Sequence, residues 1–381
     1  MTWRAYLGKT MTGEVGPQLD AVGGSLDDVL NDVKKATVVA TEASLDGVSR
    51  EWWSVWAGCV LISFEDWYQP ETLIAACPIT SPVKQDRKTG TVTFDCAGVE
   101  VLLDRRVVLD RDFRPGDEEK LRHSTIAWDG VSLGSIVGRI VEKVIRKRNG
   151  FLPIVIGAEE AAKRQRTYEG WNLANNGAWK RIKEITEVIG GPDVAFRAEW
   201  ANEDRTLFQW RLVTGTEAQP GIAQKVTPVW DATAARSPVA AISVTSSAEA
   251  LANRVYCTGA GEGAGTAVRM AEARTIPEWF PLLENVITDS DSENLDLLKQ
   301  KAEAAVATQA LDQISLSIFS DETAPIGSWH VGDLVEVVTR GWLEVPDGAH
   351  LLRVIAAKYN LGSNKVDVEL QQDRLGAELA W

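Results

Sequence analysis

The residues that most resemble a chemical site are the alternating glycines of segment 259–265. A dinucleotide site needs the spacing G-x-G-x-x-G, and Ala264 occupies the position of the third glycine. The segment that follows has the pattern of a strand, so no helix N-terminus would face a pyrophosphate. The glycines therefore predict a hairpin loop.

Two other segments imitate ligand sites but lack required residues. Gly8-Lys9-Thr10 ends like a phosphate-binding loop, yet Trp3 stands where that motif needs its first glycine. The acids of segment 289–293 begin like a calcium loop, but Asn294 and Gln300 replace the required Gly and Glu. Helix capping explains these acids equally well.

Catalytic and metal signatures are lacking elsewhere in the sequence. There is no H-E-x-x-H or G-x-S-x-G motif, and none of the three histidines pairs with another at metal-ligand spacing. The four cysteines show no C-x-x-C spacing and are predicted to be buried thiols: Cys59, Cys77, Cys96 and Cys257. With 54 acidic residues, the sequence alone leaves open a pair of catalytic carboxylates. We predict no enzyme, no cofactor and no metal.

The charge is unevenly distributed. The chain has 381 residues, with 40 Lys plus Arg against 54 Asp plus Glu, and a net charge of −14. Segment 139–183 carries eleven cations and four anions, so it is +7 and the remainder is −21. The acidic balance argues against a dedicated binder of duplex DNA. The basic segment is interpreted first as solvated helix faces, and second as a contact with an acidic partner or with DNA.

Tryptophan is unusually frequent, with 15 residues against 5 Tyr and 8 Phe. Four of them crowd one region of the N-terminal part: Trp52, Trp53, Trp56 and Trp67. A small β unit cannot bury all four, and aromatic side chains are enriched at protein interfaces. We predict that they are buried between subunits or domains, with carbohydrate stacking as the second interpretation.

Hydrophobic periodicity divides the chain into strand-rich and helical parts. Short strands with turns fill the first ~110 residues, except that Ser25-Leu26-Asp27-Asp28 predicts a capped helix to about Lys35. Helices are predicted from 131 to 148, around 179–189 and from about 292 to 311. Strands are predicted around 194–212 and again from 314 onward. No apolar run reaches the ~18 residues of a membrane span, and residues 1–7 lack the apolar region of a signal peptide.

The order of these segments resembles the tail-hub proteins of tailed bacteriophages, also called baseplate hub or minor tail proteins, especially those of siphoviruses of actinobacteria. The likeness covers nearly the whole chain, although Cys77 stands where the family has Gly. It is carried by these segments, in order: 72–80, 91–94, Gly98, 102–106, 253–256, 259–263, 331–335, 352–355 and 366–370.

The resemblance implies an α+β, β-rich fold with two small β-barrels, one of them discontinuous, and intervening α+β domains. The expected parts are a first barrel at 1–110, an α+β domain at 111–224, a split second barrel at 225–258 and 312–375, an insertion of Gly-rich loop, strand and helix at 259–311, and a tail at 376–381.

The resemblance also implies a function. The expected protein is a structural virion component assembled in the host cytoplasm, the homotrimeric hub of a long non-contractile tail tip. It would adapt the six-fold tail tube and distal tail protein to a three-fold tip, contact the tape measure protein and other minor tail or central fibre proteins, and form part of the channel for DNA ejection. Longer relatives carry enzymatic domains, whose activity is not expected here. The alternative is a receptor- or carbohydrate-binding tail protein with exposed tryptophans.

Overall fold

The computed structural model describes residues 2–188, 190–247, 252–273, 281–289, 292–307, 311–342, 345 and 347–372. The chain forms two compact units. The first combines Met1–Ile242 with Ser315–Trp381, and the second is Ser243–Ile314. The predicted tail at 376–381 lies outside the described residues, and the predicted division into four parts with two barrels stays a prediction.

The N-terminal part of the first unit contains eight strands: β1 (Thr2–Lys9), β2 (Val15–Leu19), β3 (Ala21–Val29), β4 (Lys35–Thr41), β5 (Gly58–Glu65), β6 (Thr72–Pro78), β7 (Lys84–Asp86) and β8 (Thr91–Ala97). β4 and β8 alternate buried and less buried residues, whereas β5 is buried along nearly its whole length. An alternating strand covers one face of a core, and a continuously buried one is covered on both faces. Strands β2, β1, β5 and β6 form one sheet in that order.

The helix predicted from Ser25 to Lys35 is wrong. Residues 21–29 form strand β3, which pairs with β4 on one side. The capping-box pattern depends only on residues close together in the sequence. A strand with a partner on each side forms hydrogen bonds from its backbone groups, whereas the ends of a short helix leave several of these groups without a partner. The strand is therefore favoured over the helix here.

The middle of the first unit contains the helices α1 (Glu100–Asp104), α2 (Glu118–Arg122), α3 (Leu133–Ile145) and α4 (Ala178–Thr186), with the strands β9 (Thr125–Val131), β10 (Ile154–Val155), β11 (Arg164–Glu169), β12 (Val194–Trp200) and β13 (Phe208–Thr214). The Ser132 hydroxyl caps α3 by accepting a hydrogen bond from the Ser135 N–H at 3.2 Å. The apolar stripes of α3 and α4 join one core with β12 and β13, where Phe196 and Trp210 are fully buried. The helices and the hairpin predicted here are confirmed.

The described residues after β13 form nine strands and one helix: β14 (Val229–Asp231), β15 (Val239–Ser247), β16 (Arg254–Thr258), β17 (Val268–Glu272), β18 (Glu284–Thr288), α5 (Leu295–Ala307), β19 (Leu311–Phe319), β20 (Leu334–Thr339), β21 (Gly348–Asn360) and β22 (Lys365–Gln372). A ten-stranded sheet runs in the order β15, β19, β22, β21, β3, β4, β8, β7, with β20 on β21 and β14 on β20. Strand β21 joins the N-terminal and C-terminal parts, because it pairs with both β22 and β3.

The second unit has its own small core. Its sheet runs in the order β17, β16, β18, and α5 covers one face with Leu298 and Ala302 against Val255 and Cys257. The Gly-rich segment 259–265 links the antiparallel strands β16 and β17, so the predicted hairpin loop is confirmed. The β-rich α+β class is also confirmed. No helix of the described residues is both long and apolar enough to cross a membrane.

Candidate interface surfaces

The segments that imitate ligand sites have structural roles. The Lys9 ammonium at the end of β1 pairs with Glu14 at 3.0 Å and lies over the ring of Trp52. Asp289 forms an ion pair with Lys301 at 2.6 Å. Within the described part of the chain, no three His, Cys, Asp or Glu side chains are grouped to hold a metal. The candidate functional features are therefore surfaces.

The first surface is the loop between β5 and β6, residues 66–71, called here the Trp67 loop. The Trp67 side chain is 87% exposed, the highest value for a large apolar side chain among the described residues, and Tyr68 beside it is 48% exposed. Exposed single apolar residues are common, but a fully open tryptophan is not. An exposed tryptophan can serve as an interface anchor if hydrogen bonds and ion pairs hold the backbone on both sides of it.

The start of the Trp67 loop is fixed by Asp66. One oxygen of its carboxylate accepts hydrogen bonds from the backbone N–H groups of Tyr68 at 2.8 Å and Gln69 at 3.0 Å. The other accepts one from the Ser320 hydroxyl at 2.5 Å. The Gln69 amide donates to the carbonyl oxygen of Ile326. The local turn and the segment that follows β19 thus hold the loop together.

The end of the Trp67 loop is fixed by Glu71, whose side chain is 6% exposed. Its carboxylate accepts hydrogen bonds from the hydroxyls of Ser63 at 2.6 Å and Tyr6 at 2.8 Å. It also pairs with Arg4 at 2.9 Å and Arg205 at 2.6 Å. Burial alone would raise the pKa of Glu71, but these donors outweigh it and lower the pKa. The buried carboxylate is fully paired, so the loop presents Trp67 from a rigid base.

The other three predicted interface tryptophans are half-buried in their own unit. The Trp52 ring covers Gly16, where an added Cβ would come within 2.6 Å of it. Trp53 donates from its indole N–H to the Val48 carbonyl at 3.4 Å. Trp56 has a positive φ of 67°. Sequence reasoning grouped the four residues, and the structure separates Trp67 from the rest by exposure.

A hairpin tip, residues 202–205 between β12 and β13, adjoins the Trp67 loop. Arg205 of this tip makes the ion pair with Glu71 described above. Glu203 and Asp204 are exposed, and neither side chain has an ion-pair or hydrogen-bond partner among the described residues. The Trp67 loop and the hairpin tip together form a surface called here the acidic–aromatic ridge.

The second surface is a groove of about 310 Å³ on the middle part of the first unit. Trp128 is its aromatic residue, and charged side chains form the rest of its lining: Asp110, Arg111, Asp112, Arg139, Glu142, Lys143, Arg146, Lys147 and Glu159. Four of the eleven cations of the basic segment 139–183 line this groove: Arg139, Lys143, Arg146 and Lys147. The charge excess of that segment was the signal, but residues 110–112 and Trp128 could not be placed beside it from the sequence.

Some charges of this groove are paired internally, and others have no ion-pair partner within the described residues. Arg139 binds Glu159 through two hydrogen bonds of 2.6 and 2.8 Å, and Arg146 binds Glu142 at 2.6 Å. Lys143 and Arg111 have no ion-pair partner within the described residues, and the Arg111 guanidinium lies 4.8 Å from the centre of the Phe113 ring. Burial lowers the pKa of the nearby Lys147 ammonium. Asp110 and Asp112 also have no ion-pair partner within the described residues, and one oxygen of Asp110 is buried without a hydrogen bond. The groove therefore offers unpaired charges of both signs beside an aromatic ring.

Comparisons with known proteins give a fold. No protein-family model and no curated protein matches the chain. A tail protein from Neisseria meningitidis matches with a TM-score of 0.57 at 11% identity, over 98% of this chain and 97% of that chain. Prophage tail proteins from Shewanella oneidensis and Listeria monocytogenes match with TM-scores of 0.55 and 0.52 at 8% and 10% identity, over 97% and 98% of this chain and 98% and 95% of theirs. These matches agree with the β-rich α+β fold that the resemblance implies, whereas the two barrels stay a prediction.

Proposed function

We propose that this chain, which has the fold of phage tail proteins, is a structural component of a bacteriophage tail. The observation that carries the proposal is the end-to-end match, over 98% of this chain and 97% of the Neisseria tail protein. A match of this extent covers both compact units rather than one shared domain. The proposed role is assembly, without catalysis.

The finer proposal is a homotrimeric hub at the tip of a long non-contractile siphovirus tail. It would adapt the six-fold tail tube and distal tail ring to a three-fold tip, with the tape measure protein, other minor tail proteins and a central fibre as neighbours. The particle would be assembled in the host cytoplasm, and the hub would line part of the DNA ejection channel. The open Trp67 and the half-buried Trp52, Trp53 and Trp56 are the proposed subunit-interface residues.

The charge supports a channel role. Three copies would carry −42, three times the −14 of one chain. An acidic lumen repels phosphates, so DNA passes without binding, whereas the basic segment 139–183 would face away from the bore. A trimer reconstruction with a neutral or basic lumen would contradict this part of the proposal.

Two measurements test the proposal. Mass spectrometry of purified virions should find three copies per particle, and antibody-bound gold should label the tail tip in electron micrographs. Absence of the chain from purified particles would refute the structural role. Its presence in a different copy number would refute the trimeric hub alone.

The second candidate function is recognition of a receptor or carbohydrate by exposed tryptophans. Trp67 at 87% and Trp171 at 63% exposure favour it, because sugars stack on open aromatic faces. Soluble wall glycans should then quench tryptophan fluorescence, and replacing both residues with Ala should remove the response. Unchanged fluorescence would exclude this candidate and leave the hub.

A further inference from the structure

We infer that the Trp67 loop of one copy inserts into the charged groove of a second copy of this chain. The inference rests on the proposed hub function and names the contact by which copies recognise each other. It comes from two surfaces of the first unit that have net charges of opposite sign. One is the acidic–aromatic ridge, and the other is the groove around Trp128.

The Trp67 loop of the ridge is held in place before any partner binds. Asp66 and Glu71 fix both ends of the Trp67 loop, so seating the indole orders little additional chain. Preorganised aromatic side chains are the typical anchors of protein interfaces, because their binding costs little conformational entropy. Glu203 and Asp204 add negative charge that no described residue of the same copy neutralises.

The groove supplies the opposite features. Its volume of about 310 Å³ is at the lower end of the range for pockets that hold small ligands, so an indole with part of a neighbouring side chain fills it. Trp128 offers a ring for edge or offset contact, and Lys143 and Arg111 offer cations that have no ion-pair partner among the described residues. The paired Arg139 and Arg146 also belong to its lining.

Charge complementarity identifies the occupant as a second copy. The ridge, residues 66–71 and 202–205, has four acids and one cation and a net charge of −3, whereas the lining of the groove has five cations and four acids and a net charge of +1. A contact between two different surfaces of identical chains is heterologous, and such contacts close into rings when the rotation allows. One buried tryptophan covers about 150–250 Å², so this contact is the anchor of a larger interface of about 800 Å² per copy.

Photo-crosslinking of the full-length chain tests the contact directly. A benzophenone amino acid replaces Tyr68, and ¹⁵N-labelled chain is mixed with unlabelled chain so that links between copies are recognised by mass. Links from position 68 to peptides containing residues 110–112, 128 or 139–147 of another copy are expected. Links to other regions, or none at about 100 µM protein, would overturn the inference.

Matched variants test the energetics by sedimentation equilibrium. Trp67→Ala and Lys143→Glu should each weaken association roughly tenfold or more. Trp171→Ala and Lys88→Glu change an exposed tryptophan and an exposed lysine elsewhere, and should leave association unchanged. Adding Glu203→Lys to Lys143→Glu should restore part of the lost affinity, because the charges are exchanged.

The outcomes separate this inference from the proposed function. If the test variants and the control variants weaken association equally, the proposed contact is overturned. The tail role would still stand if mass spectrometry finds the chain in virions. Position 68 linking only to a different tail protein in purified particles would also overturn self-insertion and leave the tail role intact. Absence from virions would refute the proposed function whatever the self-association data show.

Discussion

Replacing Glu100 by Gln is expected to change how the stability of the protein depends on pH. Glu100 lies in the first turn of α1, is 2% exposed, and has one carboxylate oxygen without a hydrogen-bond partner among the described residues. Lys34 is nearby, but its ammonium is hydrogen-bonded to Asp28. A cavity lined by Lys34, Gly98 and Trp210 has room for about one water molecule, with a volume of about 10 Å³.

The size of the expected change in unfolding free energy follows from the burial of the Glu100 carboxylate. Burial raises the pKa of Glu100 from 4.5 to about 7, and Lys34 reduces the rise only in part. The native state therefore holds this proton more tightly than the unfolded state, and stability falls as pH increases from about 4.5 to about 7. At about 1.4 kcal/mol per pH unit, the loss is about 3 kcal/mol. Gln does not ionise, so the variant lacks this loss.

Thermal unfolding measured from pH 4.5 to 8 provides the assay. A unit of about 300 residues has an unfolding entropy of about 0.6 kcal/mol per kelvin, so 3 kcal/mol corresponds to about 5 °C. The melting temperature of Glu100→Gln relative to the wild type should rise by about this amount between pH 4.5 and 8. The desolvation cost of the amide is equal at every pH and does not enter the comparison.

A control and a refuting result complete the experiment. Glu187→Gln changes an exposed glutamate and should give a difference from the wild type that is constant with pH. A constant difference for Glu100→Gln as well would refute the reasoning, because it would mean that the carboxylate has the same proton affinity in both states.

Three further predictions concern the first unit and the thiols. Glu71→Gln should lower the free energy of unfolding by about 3 kcal/mol in urea titrations, because it leaves two guanidinium groups without their buried partner; Glu65→Gln, at a half-exposed pair, should cost less than about 1 kcal/mol. Gly215→Ala would place its Cβ 1.8 Å from a backbone carbonyl oxygen, so calorimetry should show a large fall in melting temperature, whereas Gly157→Ala has open space and should show little change. The four cysteines are buried and free, and burial raises their pKa values, so Ellman's reagent should label them only after unfolding; rapid labelling of native protein would contradict their burial.

Sequence patterns predicted those helices and strands whose formation depends mainly on residues close together in the chain. The apolar spacing of segment 131–148 predicted α3, which runs from Leu133 to Ile145. The alternation in 194–212 predicted the hairpin of β12 and β13. The same reasoning failed at Ser25, because β3 depends on partners far away in the sequence, and one of them is more than 300 residues distant.

The candidate surfaces were only partly predictable for the same reason. Composition identified Trp67 as one member of a tryptophan cluster, but its exposure depends on hydrogen bonds to Ser320 and Ile326, about 250 residues away. The charge excess of 139–183 was interpreted first as solvated helix faces and second as a contact with an acidic partner or with DNA. The groove also needs Trp128 and residues 110–112, whose placement follows from tertiary packing.

The double pairing of β21 has a consequence for how the protein is made. Ser25 of β3 faces Asn360 of β21, so one side of an early strand stays without its partner until residue 360 has left the ribosome. At about 5–20 residues per second, translation needs about 15–70 s to cover that distance. During this interval the nascent chain exposes an open sheet edge, which is a site for aggregation and for chaperone binding. The main sheet therefore closes at β3 only after residue 360 has been synthesised, and a chain interrupted before that point cannot complete it.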